Sequence, residues 1–149
     1  MILLILALLL VFPLEVEDQC GFPPEMRYSA SGLTFFQMSR IEGEAVLSLM
    51  GTKEENGKVV DVCLGLYDEL NTRLIATAKT DKDGQFFFGQ IKPGLYRLIS
   101  KASAFHSVNV PIRLNEYQKT ETEHQARLVL HFRFLNDERK SSATMEEAN

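Results

Sequence analysis

Residues 79–100 read KTDKDGQFFFGQIKPGLYRLIS, and this stretch decides the fold because turn residues and strand periodicity agree along it. Asp83-Gly84 is typical of a hairpin turn, since Asp bonds its own backbone and Gly takes positive φ without steric cost. Pro93-Gly94 has the composition of a type II turn, in which Pro presets one φ and Gly supplies the positive φ that follows. The sequence therefore predicts two chain reversals, each followed by a strand.

Period-two alternation places the side chains of these two strands. Phe86 and Phe88 share one face of the first strand, and Phe87 lies on the other. Tyr96 and Leu98 share one face of the second strand. We expect Phe86, Phe88, Tyr96 and Leu98 to point into a shared interior between two sheets. Two strands and two turns within about twenty residues are typical of antiparallel sandwiches.

This pattern of a threonine, a short acidic loop, D-G-x-F-x-F, an apolar residue, P-G and x-Y-x-L resembles the carboxypeptidase regulatory-like domain, a small transthyretin-like β-sandwich. The matching residues are Thr80, Asp83, Gly84, Phe86, Phe88, Ile91, Pro93, Gly94, Tyr96 and Leu98. Residues 41–43 and 57–66 resemble the first two strands of that family, so the likeness covers about residues 41–114. Two positions depart from it: Ala104-Phe105 replaces a Gly-aromatic pair, and Val59 replaces a Pro. The resemblance implies a transthyretin (prealbumin)-like Greek-key sandwich.

Alternation elsewhere supplies the other strands of the predicted fold. They fall at residues 41–49, 60–67, 74–79, 108–113 and 127–134. Val60, Val62, Leu64 and Leu66 are predicted to point inward, and Pro111 to mark its strand as an edge because it cannot donate to a ladder. The prediction is an all-β, seven-stranded antiparallel sandwich over residues 41–135.

The ends of the chain differ in composition from this domain. Residues 1–14 are almost wholly apolar and too few for the about 20 that span a bilayer, so they are interpreted as the apolar region of a secretory signal, in contact with the membrane only transiently. Residues 15–40 are predicted to be a linker, with 33–38 as an added edge strand. Residues 136–149 are polar and are predicted to be a disordered tail.

Composition and motifs exclude several functions. The chain has 149 residues, enough for one domain, and its net charge of -4 argues against a nucleic-acid partner. A calcium loop opened at Asp81 would need Gly and Glu where Phe86 and Lys92 stand. The three histidines, His106, His124 and His131, lack the spacing of a zinc helix, and no H-x-x-E peptidase motif occurs. We therefore expect no catalytic residues, cofactor or metal.

Three groups of residues are candidates for other roles. Tyr67, Phe87 and Leu95 are predicted to face outward as an apolar or sugar-stacking patch. Arg113, Arg127, His131 and Arg133 are predicted to form a basic stripe for an acidic partner, unless they are simply a solvated face. Cys20 and Cys63 could form a disulfide that stabilises the fold by about 4 kcal/mol, although two cysteines make no framework and the sequence favours free thiols.

These observations predict an exported, non-catalytic β-sandwich module that is secreted or lies in the periplasm or cell envelope. We expect an accessory or protein-binding role there, with an unidentified protein as partner. The alternative is a carbohydrate-binding module that uses Tyr67 and Phe87 against a glycan.

Overall fold

The computed structural model describes residues 20–27, 34–48, 57–116 and 126–147. Within these ranges lie nine strands: β1 (Phe36–Met38), β2 (Glu42–Leu47), β3 (Cys63–Asp68), β4 (Leu74–Lys79), β5 (Gln85–Phe87), β6 (Gly94–Lys101), β7 (Asn109–Leu114), β8 (Ala126–Phe132) and β9 (Ser142–Glu147). They form a five-stranded sheet, β1-β7-β6-β3-β4, and a four-stranded sheet, β5-β2-β8-β9. The protein is an all-β sandwich, as the sequence predicts. The predicted signal segment lies outside the described residues, and in the ranges given above no helix could cross a membrane.

The interior between the sheets contains the four side chains that the sequence places there. Phe86 and Phe88 are buried and meet edge to face, with ring centroids 6.3 Å apart. Tyr96 and Leu98 are buried opposite them. Phe87 is 56% exposed on the other side of β5, as alternation predicts. Strand periodicity therefore places the core correctly.

The predicted turn at Asp83-Gly84 connects the two sheets and is not a hairpin. β4 belongs to the five-stranded sheet, whereas β5 pairs with β2 in the four-stranded sheet. Gly84 has the predicted positive φ, 72°, but it turns the chain from one sheet to the other. The predicted type II turn at Pro93-Gly94 is wrong, because Gly94 begins β6 as an extended residue paired with Leu114. The positive φ after β5 belongs to Gly89, at 76°.

The strand count and pairing differ from the predicted seven antiparallel strands. β1 is the added edge strand predicted within residues 33–38, β9 was not predicted, and two pairs, β1 with β7 and β2 with β8, are parallel. β7 is not an edge strand, because β1 pairs with it at residues 112–114. Pro111 nevertheless lies just before that register, where β1 provides no partner. A proline is tolerated there because no ladder hydrogen bond is required of it.

The prediction of a disordered tail at residues 136–149 is wrong for residues 142–147. Residues 142–147 form β9, which pairs antiparallel with β8. Ala143 and Met145 pack against the core while Thr144 and Glu146 are exposed, so a period-two pattern lies inside this polar segment. The prediction failed because it used composition and did not test for alternation.

The start of the third strand also departs from the predicted alternation. Val60 is 46% exposed, whereas Val59 and Val62 are buried. Asp61 takes a positive φ of 57°, which breaks the period-two pattern between them. Regular pairing of β3 therefore begins only at Cys63, and Leu64 and Leu66 point inward as predicted.

Candidate functional site

The outer face of the five-stranded sheet is covered by residues 20–27, which we call the strap. Cys20 forms a disulfide with Cys63 at the start of β3. Two residues later, the ring of Phe22 packs on Gly65, which lies two residues after Cys63. A Cβ at Gly65 would meet ring carbons of Phe22 at 3.0 Å. The start of the strap therefore lies over β3, and Gly65 leaves room for its aromatic ring.

Hydrogen bonds hold the strap along the rest of its length. The Lys101 ammonium group donates to the Gly21 carbonyl at 2.8 Å, and the Tyr67 hydroxyl donates to the Pro23 carbonyl at 2.7 Å. The strap then reaches the edge of the sheet at the start of β4. There the Leu74 N–H donates to the Pro24 carbonyl at 2.9 Å, and the Met26 N–H donates to the Thr72 carbonyl at 3.1 Å. The end of the strap thus forms an isolated antiparallel bridge, Glu25 with Arg73, beside the β4 edge.

A second, smaller apolar cluster lies beneath the strap. Phe22, Tyr67 and Ile99 are its buried members, with the Phe22 and Tyr67 rings edge to face at 6.4 Å. Tyr67 is 0% exposed, although the sequence places it on the outer face. This cluster is separate from the interior between the sheets, because the sheet itself lies between them.

A free-energy estimate shows how much the strap depends on its disulfide. Ordering its eight residues costs about 10 kcal/mol of backbone entropy. Burial of Phe22 contributes about 2–3 kcal/mol, and each of the four hydrogen bonds about 1 kcal/mol. The noncovalent contacts alone therefore fall short of the ordering cost by a few kcal/mol. The disulfide offsets this difference by fixing Cys20 beside β3, which lowers the entropy that the strap loses when it docks.

A buried ion pair lies beside this cluster on the same face. The Arg97 guanidinium donates to both carboxylate oxygens of Glu69, at 2.9 and 2.7 Å, and to the Asn109 side-chain oxygen at 2.9 Å. Arg97 is fully buried, although alternation predicts an outward side chain. The bidentate geometry and the third bond satisfy the charge, so Arg97 has a structural role here.

The predicted apolar patch of Tyr67, Phe87 and Leu95 is not assembled. Tyr67 is covered by the strap, and Phe87 lies on the opposite sheet. Leu95 is half-buried on β6. The prediction was wrong because a strand pattern shows which way a side chain points but not what covers it.

The predicted basic stripe is not assembled either. Arg113 lies on β7, in a different sheet from Arg127 and His131 on β8. Arg127 pairs across the strands with an acid, Glu146 on β9. No single basic face results from these positions.

The remaining members of the predicted stripe are engaged in local contacts. His131 lies 2.8 Å from the Thr144 hydroxyl through its Nε2 atom. Arg133 forms an ion pair with Asp137 at 3.4 Å. Hydrogen bonds from the side chain and backbone N–H of Arg139 lower the pKa of Asp137 to about 2. The acid offsets the positive charge of both arginines.

An exposed apolar surface lies at one end of the sandwich, and sequence analysis missed it. Phe134 and Leu135 are 41% and 57% exposed beside Ala104, around an open depression of about 470 Å³. Phe105 supports them from below, stacked on Phe134 at 5.1 Å and edge to face with Phe132 at 5.6 Å. The Leu135 N–H donates to the Ala104 carbonyl at 3.2 Å. We call Ala104, Phe134 and Leu135 the apolar end.

Metal-binding chemistry finds no support among the residues that the structure describes. They contain no group of three or more His, Cys, Asp or Glu side chains that could hold an ion. His124 lies outside the described residues, and the His106 Nε2 atom is 2.8 Å from the Asp137 carbonyl oxygen. Asp81, considered above for calcium, instead accepts the N–H groups of Asp83 and Gln85 with one carboxylate oxygen, both at 2.9 Å.

One pattern in the sequence signals the strap. Cys20-x-Phe22 and Cys63-x-Gly65 have the same spacing, with a large ring in one segment and the smallest residue in the other. No family model matches this chain, and no curated protein matches it.

Proposed function

We propose that the protein is an exported, non-catalytic β-sandwich module that acts by binding another protein outside the cytoplasm. The observation that carries this proposal is the Cys20–Cys63 disulfide. Disulfides form and persist in oxidising compartments, such as the periplasm, the cell surface and the extracellular space. An apolar segment at residues 1–14 has the composition of a secretory signal and agrees with that destination.

Kinship to the carboxypeptidase regulatory-like family is part of the proposal. It is supported by the roles of the motif residues. The buried Thr80 hydroxyl accepts the Val62 N–H at 2.9 Å, Gly84 makes the corner between the sheets, and the Tyr96 hydroxyl donates to the Lys92 carbonyl. These contacts explain why a threonine, a glycine and a tyrosine stand at those positions.

Protein binding is favoured over the carbohydrate alternative by the exposed surfaces. The glycan hypothesis depended on Tyr67 beside Phe87, and the strap covers Tyr67. The apolar end presents Phe134 and Leu135 on a stacked aromatic support. Clustered exposed apolar side chains of this kind mark interaction surfaces more often than isolated ones do.

Export is tested by joining residues 1–21 to a reporter enzyme and measuring where the reporter accumulates. The proposal predicts that it leaves the cytoplasm, and that replacing three leucines of residues 1–10 by Asp retains it inside. A reporter that stays in the cytoplasm with the natural segment would overturn the export part.

Binding is tested by crosslinking the intact protein, at the surface or in the medium of cells that produce it. A Phe134→Ser/Leu135→Ser variant should lose the crosslinked partner, whereas Leu70→Ser should keep it. Leu70 is a matched control, because it is 85% exposed and is not part of the apolar end. Equal crosslinking by all three proteins would exclude the apolar end as the contact surface.

A further inference from the structure

We propose that the Cys20–Cys63 disulfide is a redox-controlled latch, and that its reduction by a protein dithiol releases the strap and uncovers a binding site for an extended, aromatic peptide segment. The proposal concerns the outer face of the five-stranded sheet. It is independent of the apolar end and of the partner proposed for it.

The strap can leave without opening the interior. None of its residues belongs to the core cluster between the sheets, and its one buried ring, Phe22, contacts only the outer cluster. Its ion pair, Glu25 with Arg73 at 3.8 Å, is exposed on both sides and holds it weakly. One covalent bond therefore decides between a docked and a released strap.

Release of the strap would expose a site whose chemistry is visible in the closed state. Its floor is Gly65, its apolar walls are Tyr67 and Ile99, and the Tyr67 hydroxyl would lose its hydrogen bond to the Pro23 carbonyl. At the sheet edge, the Leu74 N–H would also lose its acceptor. A segment that adds as a strand and places one aromatic ring on Gly65 would satisfy all of these groups.

The surroundings of Cys63 favour one direction of thiol–disulfide exchange. In the sheet register Cys63 lies between Lys79 and Lys101, so two positively charged residues occupy the neighbouring strands on its side of the sheet. A thiolate of the incoming dithiol attacks the Cys20 sulfur, and Cys63 leaves as a thiolate that these cations stabilise. The second thiolate of the dithiol then displaces Cys20. The protein gains two electrons and two protons as two thiols, and the dithiol becomes a disulfide.

Hydrogen exchange on the full-length protein tests whether the strap is released. Reduction with dithiothreitol should speed exchange of the Met26 and Leu74 amides at least about tenfold. The Leu64 and Leu98 amides of β3 and β6 should remain the better protected, because they exchange only when the core unfolds. Unchanged protection of Met26 and Leu74 after reduction would overturn the latch, as would loss of protection across the whole core.

Peptide binding tests whether a site is uncovered. A fluorescent peptide of residues 20–27 that keeps Cys20 should exchange into a mixed disulfide with Cys63 of a full-length Cys20→Ser variant, because the covalent bond then holds the peptide on the uncovered face. The natural oxidised protein should capture at least about tenfold less peptide, and so should the variant when the peptide carries Phe22→Ala. Equal capture by both proteins, or capture by neither, would contradict the proposal, as would equal capture of both peptides.

Reduction kinetics test the direction of exchange. Lys79→Gln should slow reduction by dithiothreitol about two- to fivefold at low salt, because it removes one charge beside Cys63. Lys82→Gln is the matched control and should leave the rate unchanged, since Lys82 lies in the loop before β5. If both variants are reduced at the same rate, the charge at Lys79 does not influence the departure of the Cys63 thiolate.

Discussion

The interior between the sheets and the outer face beneath the strap are both buried, but they are encoded differently. Phe86, Phe88, Tyr96 and Leu98 reach the interior through alternation within two adjacent strands. Phe22 reaches the outer face because a disulfide and Gly65, both distant in sequence, make a place for it. Local periodicity therefore specifies the core, whereas the covered outer face depends on one covalent bond and a few long-range contacts. The two regions should respond differently to mutation.

The corner at Gly84 should be the most sensitive position for the interior. Gly84→Val should abolish folded protein, because a β-branched residue is strained at a φ of 72° and its Cβ would lie 2.9 Å from the Ala45 carbonyl oxygen. Gly89→Val is the matched control, since Gly89 has a similar φ of 76° and open space around it. It should cost about 1–3 kcal/mol. A Gly84→Val variant that melts at the wild-type temperature would contradict the requirement for glycine at the turn between the sheets.

The ion pair on the outer face should rank next. Glu69→Ala leaves the Arg97 charge buried and should lower the free energy of unfolding by about 3–5 kcal/mol in denaturant titrations. Glu25→Ala removes the exposed ion pair with Arg73 and should change it by less than about 1 kcal/mol. If Glu69→Ala lowers the free energy of unfolding as little as Glu25→Ala does, the Arg97 guanidinium must be hydrated on this face.

Truncation of one apolar residue in each region compares them directly. Leu98→Ala should cost about 2–5 kcal/mol, because a cavity forms between the sheets. Phe22→Ala should cost less than about 2 kcal/mol in the oxidised protein, since a strap that cannot dock simply detaches. Equal losses in denaturant titrations would show that the strap is as integral as the core.

A change at Gly65 should disturb the strap alone. Gly65→Ala puts a methyl group 3.0 Å from the Phe22 ring and should cost about 1 kcal/mol. Hydrogen exchange of the Met26 amide should accelerate while that of Leu98 does not. A Gly65→Ala/Phe22→Leu double variant, which removes the ring, should recover part of the loss. If the double variant recovers none of the lost stability, the methyl group at position 65 does not clash with the Phe22 ring.

Titration of Asp137 by acid should have the smallest effect on stability. This residue lies neither in the interior between the sheets nor on the outer face beneath the strap. The pKa of Asp137 is lowered to about 2 from 3.8, chiefly by hydrogen bonds from Arg139. The folded protein therefore gains stability from this group above about pH 4 and loses it as the pH falls toward about 2. Asp137→Asn should flatten the melting temperature over that range. A variant with the same acid dependence as the wild type would assign the effect to other carboxylates.

The differences between prediction and structure follow the same division. The inward positions of Phe86, Phe88, Tyr96 and Leu98 were predictable because alternation is local. The sheet to which each strand belongs was not predictable. A turn at Gly84 has the same sequence pattern whether the next strand pairs with β4 or crosses to the other sheet. Similarly, β9 was missed because its polar composition hid the alternation of Ala143 and Met145.

The candidate site was the less predictable part. Tyr67 was correctly placed on the outer face, but nothing in the pattern of β3 indicates that another segment covers it. The sequence favoured free thiols, and the structure instead joins Cys20 to Cys63. Only the equal spacing of Cys20 and Phe22 with Cys63 and Gly65 signals the strap, and such a signal joins residues that are 43 positions apart.

The most direct test of the account is a nonreducing peptide map of the natural protein, recovered from outside the cytoplasm and alkylated at collection. We predict one peptide pair joined through Cys20 and Cys63, with a chain that retains Cys20 after export. Recovery of both cysteines as alkylated free thiols, or of a mature chain that begins after Cys20, would contradict the strap and the latch together.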